Sequence, residues 1–433
     1  MSKSYKVFVA KQIKESVSEA ANTKMFLTFG RVTEWANEEA PDQANTSHLG
    51  QIDFWNTMVG GKRIFENDIE HVIPRIDWTA GTSYDQYDDR DENLFDRNFY
   101  VLTSDNNVYK CLSNNTGGLS TVEPTSETTS STTQTSDDYV WKFMYKMNSE
   151  DKHRFMNSEY MPVRELVDDN GSLQYDIQSS AISGQINTIL IDNAGNYTTD
   201  NITISIVGDG SGANAYASVN VTSNSISNVI VDTAGLGYTY ADVTISGGGG
   251  NGGGSVHASI SPFGGNGSDA LRELGGSNLM INAEIRGTEN GELPIVNNFR
   301  RVGIITNPYI YGTSNVYTNT AYTTTTDLTL TGVSSDFEED ETVFQGGSLL
   351  TSTFKGTVVE WNSANSFMRL IDTEGTATAA SLIGDTSGAT AYLASETESD
   401  LVKYSGQVLY IDNIEEIKRN ELQTENFRII LKY

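Results

Sequence analysis

Apolar and polar residues alternate in short runs along most of this chain, and Gly, Asn, Asp and Ser punctuate the runs. That pattern predicts many short half-buried strands joined by polar turns. Met25-Phe26-Leu27-Thr28-Phe29 reads as a strand stopped by Gly30. Val101-Leu102 and Val108-Tyr109-Lys110-Cys111-Leu112 read as two strands around the turn Ser104-Asp105-Asn106-Asn107. Two stretches carry helical spacing instead. Across residues 5–20, Val7, Ala10, Ile13 and Val17 form one apolar stripe. Across residues 50–60, Ile52, Trp55 and Val59 share a face, widened by Phe54 and Met58, and Gly60-Gly61 is expected to end the helix. Ile73-Pro74 opens an extended segment, because proline supplies no ladder donor. In a strand there, Arg75 and Asp77 would share one face and Ile76 and Trp78 the other, making an Arg–Asp clamp beside a buried Trp.

An internal repeat interrupts this pattern. Ile191-Asp192-Asn193-Ala194-Gly195-Asn196-Tyr197 resembles Val231-Asp232-Thr233-Ala234-Gly235-Leu236-Gly237-Tyr238, and Ile202-Thr203-Ile204-Ser205 resembles Val243-Thr244-Ile245-Ser246. Ala215-Tyr216-Ala217-Ser218-Val219 likewise matches Val256-His257-Ala258-Ser259-Ile260. Each copy predicts about three strands, and two copies can share a core that neither could bury alone. Residues 186–262 contain no Lys or Arg, which sets them apart from their flanks. Residues 313–401 offer a further five or so strands at regular spacing, expected to form a small barrel or sandwich. Residues 113–137, rich in Ser and Thr, are expected to be a mobile surface loop. The acidic run at residues 85–96 lacks the central Gly and terminal Glu of a calcium loop and is expected to be a solvated loop.

Composition narrows the chemistry. The chain has 433 residues and 37 % hydrophobic content, with 57 acidic against 28 basic residues and a net charge of −29. So acidic a surface repels phosphate backbones and anionic lipid, so neither nucleic acid nor membrane is an expected partner. Cys111 is the sole cysteine, which rules out an intrachain disulfide. Lys3, Lys6, Lys11 and Lys14 interrupt every early apolar run, so no signal-peptide core is expected, and no stretch approaches the ~20 residues of a membrane span. His48, His71, His153 and His257 show no metal-ligand spacing, no Gly-x-Ser-x-Gly elbow occurs, and the Gly247–Gly254 run lacks a basic residue and a following helix. No catalytic, cofactor-binding or metal site is therefore expected.

Six signatures remain. They are Thr28-Phe29-Gly30-Arg31 with Trp35; Ile73-Pro74-Arg75-Ile76-Asp77-Trp78; Asp138-Tyr139-Val140-Trp141-Lys142-Phe143; Phe299-Arg300-Arg301-Val302-Gly303-Ile304-Ile305-Thr306-Asn307-Pro308; Tyr404-Ser405-Gly406 with Tyr410 and Asn413; and Gln423-Thr424-Glu425 leading into residues 427–433. In this order they resemble the baseplate wedge subunit of T-even-type contractile-tailed bacteriophages, across residues 1–165, 290–312 and 402–433. The resemblance fails over most of 186–262 and 313–401. It implies a structural virion protein: a β-sandwich that forms a homodimer, joins other baseplate wedge proteins and is made in the host cytoplasm.

The expected fold is thus mainly all-β. A β-sandwich core with two short peripheral helices is drawn from residues 1–185, 263–312 and 402–433, and carries inserted β-rich modules at 186–262 and 313–401. Arg31, Trp35, Trp55, Arg75, Asp77, Trp78, Trp141, Phe299, Arg301 and Tyr433 are the expected core or interface anchors. The rival reading is a tail adhesin, or a glycan-binding or depolymerising tail protein, since 57 acids can supply a carboxylate pair. Exposed Tyr197, Tyr238, Tyr240 and Trp361 in one row would favour host-glycan contact by the inserts.

Overall fold

The computed structural model describes residues 2–18, 23–289, 293–294, 298–420 and 422–433. The fold is mainly β. Two compact units make up the chain. One comprises residues 1–11, 70–280 and 430–433; the other comprises 12–69 and 281–429.

The second unit is built on a five-stranded antiparallel sheet in the order Ala321–Thr323, Met58–Ile64, Met25–Gly30, Asn298–Thr306, Gln407–Lys418. Every residue of the central strand Met25–Gly30 is buried, so the sheet is covered on both faces. On one face Phe26 packs with Phe54, Trp55, Ile305 and Tyr322. Elsewhere Phe299 lies between Phe29 and Phe427, with ring centroids at 5.3 and 5.8 Å. The helix over residues 50–60 is in fact His48–Asn56, capped by Ser47. Gly60-Gly61 does not end it but lies inside the strand Met58–Ile64. The reason is a close approach: a Cβ on Gly61 would sit 2.5 Å from the Tyr322 hydroxyl. Gly303 has the same cause, since a Cβ there would sit 2.6 Å from the Phe54 ring. The same unit contains a closed six-stranded barrel, Thr326–Thr331 through Thr390–Thr397, around Leu328, Val343, Phe354, Val358, Met368 and Leu370.

The first unit holds a four-stranded sheet in the order Tyr100–Leu102, Asn107–Asn114, Tyr139–Lys146, Thr133–Gln134. The strand expected over residues 73–78 runs instead as Ile69–Pro74 and stops at its proline. Arg75 and Asp77 still pair, at 2.8 Å, but Trp78 is only half-buried. Residues 113–137 are not a free loop. The Asp137 carboxylate accepts from Thr121 N and Val122 N at 2.6 and 2.9 Å, and Thr133–Gln134 pairs with Val140 and Trp141. Side chain-to-backbone bonds supply here the order that apolar burial does not. The acidic run is likewise partly built in: Leu94 is buried, and Asp89 accepts from Ile260 N at 3.0 Å. The helix Lys3–Ser18, of which residues 3–11 belong to this unit, buries Val7 and Ala10, and Val17 further along it is buried too, while residues 19 and 20 of its expected span lie outside the described residues. The sequence pattern did not reveal the helices Ser149–Phe155, Leu173–Ser180 and Ala270–Glu273.

Residues 186–262 of this unit pair by exchange between the two repeat copies. Ile186–Asn193 opens the first copy and pairs with Ser255–Ile260, which closes the second. Ser225–Leu236 opens the second and pairs with Ser211–Asn220, which closes the first. The middle strands Ile202–Gly208 and Ala241–Gly247 pair with each other. Tyr197 and Tyr238 occupy equivalent places in one shared core, and each hydroxyl accepts a backbone N–H from the other copy, Gly254 at 3.0 Å and Ala213 at 3.3 Å. Thr188 Oγ1 donates to Leu112 O at 2.8 Å, tying the repeat to the sheet beside it, and Ser259 Oγ donates to Tyr87 O at 3.2 Å in the acidic segment.

Two lysines stand directly opposite each other within the four-stranded sheet, Lys110 on one strand and Lys142 on the next. Like charges at such positions repel. Lys110 is fully buried against Glu273, whose carboxylate also accepts from Gly267 N and Asp269 N. Among the described residues Lys142 has only the Thr129 carbonyl, at 2.7 Å. Burial, with Lys110 nearby, pushes its ammonium down to about 8.

Two outcomes follow from this packing. Trp141, fully buried between Tyr139 and Tyr84, should cost about 3–5 kcal/mol when replaced by alanine, read from chemical denaturation. Because Lys142 titrates lower when folded, the unfolded chain binds the extra proton between pH 8 and its ordinary 10.5. Stability should therefore rise across that window by on the order of 3 kcal/mol through this group. Lys142→Met should remove that part of the slope; an unchanged slope would refute the assignment.

Candidate assembly site

Four of the six signatures meet in the second unit. Gly30 ends a central strand, and Arg31 follows it in the left-handed region at φ 56°. Its amide donates to Thr57 O at 2.7 Å, and its carbonyl accepts from Arg300 N at 3.0 Å. That turn lays the Arg31 guanidinium over the Trp35 ring at 3.7 Å, while the Arg301 guanidinium lies 5.8 Å from the same ring. Trp35 is itself fixed, since its Nε1 donates to Ile414 O at 3.1 Å.

The two neighbouring arginines are held differently. Arg300 is buried and donates to Glu38 and Glu416, each at 2.8 Å, and to the Val32 carbonyl. Arg301 donates to Asn413 Oδ1 at 2.8 Å, Asp53 Oδ2 at 2.7 Å and Thr57 Oγ1 at 3.1 Å. Arg31 Nε is buried and has no hydrogen-bond partner among the described residues. Burial and the adjacent Arg301 push its guanidinium below its ordinary value. Trp55 is buried on the helix His48–Asn56 and meets Phe54 and Tyr404 edge-on. Tyr404 also donates to Asn56 Oδ1 at 2.5 Å. The last signature contributes Glu425, paired with the buried Arg419 at 3.4 Å, and Phe427 on Phe299.

The other expected residues lie in the first unit. Arg75 is tied to Asn157 O and Asp77, Trp78 Nε1 donates to Ser120 Oγ at 3.0 Å, and Trp141 is a core side chain. Tyr433 is half-buried and lies two residues beyond the strand Thr424–Leu431. Sequence reasoning missed Glu38, Asp53, Glu416 and the central role of Arg300. Nothing local marks those carboxylates, because each meets its arginine across more than 100 residues of chain.

The raised carboxylate Glu360 and its neighbour Asp327 both bind Arg369, at 2.6 and 3.0 Å, as a structural ion-pair network. Among the described residues no group of three or more His, Cys, Asp or Glu side chains converges to hold a metal ion. Tyr197 and Tyr238 are core residues and Trp361 packs on Phe337, so of the four aromatics considered for a glycan platform only Tyr240 is well exposed.

Residues 3–113 match the family model described as Bacteriophage T4, Gp8. The baseplate wedge protein gp8 of Enterobacteria phage T4 is 37 % identical over 59 residues, which is 12 % of this chain and 18 % of that relative. The chain thus covers less than a fifth of the curated relative it matches. Its amino-terminal part is similar to that baseplate wedge family.

Proposed function

We propose that this chain is a non-enzymatic structural component of a contractile-tail baseplate wedge. In this reading it forms a homodimer, links neighbouring wedge proteins in the virion, and assembles in the host cytoplasm. One observation carries the reading. Residues of three of the family-like signatures, Arg31 and Trp35, Arg300 and Arg301, and Asn413, assemble from distant parts of the chain into one arginine–tryptophan cluster beside one sheet. Support comes from the family match over residues 3–113. Arg31 and Trp35 are the parts of that cluster offered to a neighbour, because both are half-buried, whereas Arg300 is buried and held by Glu38, Glu416 and the Val32 carbonyl. The repeat at 186–262 and the barrel region at 313–401 are carried modules.

Gold-labelled antibody against the chain should mark the tail end of virions; labelling confined to the capsid, or absent from particles, would sink the reading. Arg31→Ala should change stability by no more than about 1 kcal/mol, since it removes one partly exposed cation–π contact. It should nevertheless reduce incorporation into particles. Arg300→Ala should cost more than Arg31→Ala, on the order of 1–3 kcal/mol, by removing the hydrogen bonds of a buried guanidinium to Glu38, Glu416 and the Val32 carbonyl. If Arg31→Ala particles assemble normally, Arg31 is not an interface residue. Replacing 186–262 by a short Gly/Ser linker should leave a soluble dimer with a cooperative melt at a reduced midpoint, and aggregation of that variant would assign the repeat to the core.

A further inference from the structure

The Ser/Thr-rich segment that the sequence marks as low complexity forms the cover of a polar cavity in the first unit. The cavity has a volume of about 210 Å³ and is lined by Ser130, Ser131 and Thr132 from the segment, and by Lys142, Asn187 and Asn266 among others. The segment is held there by its Thr129 carbonyl, which accepts from Lys142 Nζ at 2.7 Å and from Ser180 Oγ at 3.2 Å.

Two features of this cavity are uncompensated. Lys142 is only 4 % exposed and has no carboxylate within ion-pair distance among the described residues. The one buried carboxylate nearby, Glu273, is taken by Lys110 and by two backbone amides. Two cross-strand lysines therefore share a single negative charge, and a buried cation without a counter-charge is costly. The second feature is Asn266, 6 % exposed. Its Nδ2 donates to Asn187 Oδ1 at 2.8 Å, but its Oδ1 has no hydrogen-bond partner among the described residues. Buried polar atoms left in this state call for an occupant.

We infer that this cavity is a binding site for a small tetrahedral oxyanion, seated between the Lys142 ammonium and the hydroxyls of Ser130, Ser131 and Thr132, with a protonated oxygen donating to Asn266 Oδ1. The charge decides in favour of an anion over a neutral polyol: hydroxyls and amides would suit either, but only an anion completes the pairing of two lysines with one carboxylate. The volume is several times the ≈ 30 Å³ share of one water, enough for such an ion with residual water. The lowered ammonium of Lys142 agrees with a charge that lacks a partner when the cavity holds none. The groups that govern its titration are Lys110 on the adjacent strand and Glu273 on the helix Ala270–Glu273.

The test uses the full chain and sodium phosphate as probe, with sodium chloride at matched ionic strength as reference. Phosphate at about 10 mM should raise the melting midpoint of the unit by about 2 °C or more over chloride. Lys142→Met should abolish the difference, and Ser130→Ala with Ser131→Ala should weaken phosphate at least about threefold in calorimetric titration. If Lys142→Met does not fold, the pH series decides on the unaltered chain: the phosphate effect should be lost by about pH 9.5, where the ammonium of Lys142 is neutral. A phosphate response equal to that of chloride, one retained in Lys142→Met, or one that persists at pH 9.5 would overturn the site.

Discussion

A charge removed from water has to be neutralised or hydrogen-bonded, and both units of this chain are organised around that requirement. The hydrophobic content is low for a chain of this length, so long cationic side chains fill places that aliphatic ones would take in a richer core. Arg300 is buried because Glu38, Glu416 and the Val32 carbonyl converge on it. Arg419 is buried against Glu425 and the carbonyls of Gly287 and Pro294. Lys110 is buried because Glu273 reaches it from a helix far along the chain. Each such pair is specific in a way that apolar packing is not, since removing one partner strands the other. Whether these ion pairs add net stability over hydrophobic replacements is secondary; they hold distant segments in one register.

Carboxylates serve the backbone in the same manner. Asp137 accepts from two consecutive amides and orders a segment whose composition alone predicts a free loop. Glu341 does the same for the turn at Thr386 and Ser387 in the barrel, at 3.1 and 3.0 Å. Asp209 collects Thr239 N and Tyr240 N and is held down at about 2 by those bonds, the Thr239 hydroxyl first. The excess of acid in this chain is thus partly structural. A fraction of it replaces the turn chemistry that apolar contacts do not provide, and the rest supplies the net charge of the surface.

The repeat shows how duplication solves the problem of a small core. Neither copy pairs its own strands into a sheet; first and third strands exchange partners between copies, and the middle strands meet each other. Each tyrosine hydroxyl is then satisfied by the other copy's backbone. The arrangement makes the two copies interdependent, although Thr188 also binds the neighbouring sheet and Ser259 the acidic segment at Tyr87. In the proposed wedge role, such a module is a rigid appendage carried by residues that resemble the family.

Much of the secondary structure was legible locally. The apolar runs that read as strands at Met25–Gly30 and within Asn107–Asn114, and the three-to-four spacing of the first helix, are patterns that any one segment carries by itself. The repeat too was visible, because self-similarity needs no partner. Gly60-Gly61 was misread because a glycine pair ends a helix or admits a neighbouring ring equally well, and only the position of Tyr322 distinguishes them. The short helices Ser149–Phe155 and Leu173–Ser180 carry too few apolar residues for a period to register. The candidate site divides in the same way. Arg31, Trp35 and Arg301 stand out as residue types in short signatures, but their roles depend on Glu38, Asp53, Asn413 and Glu416. Charge pairing acts through space, and separations of 100 residues or more leave no trace in local composition. The amino-acid order settles the long apolar strands and the first helix; the tertiary structure alone selects which buried charge meets which counter-charge, and which, like Lys142, meets none among the described residues.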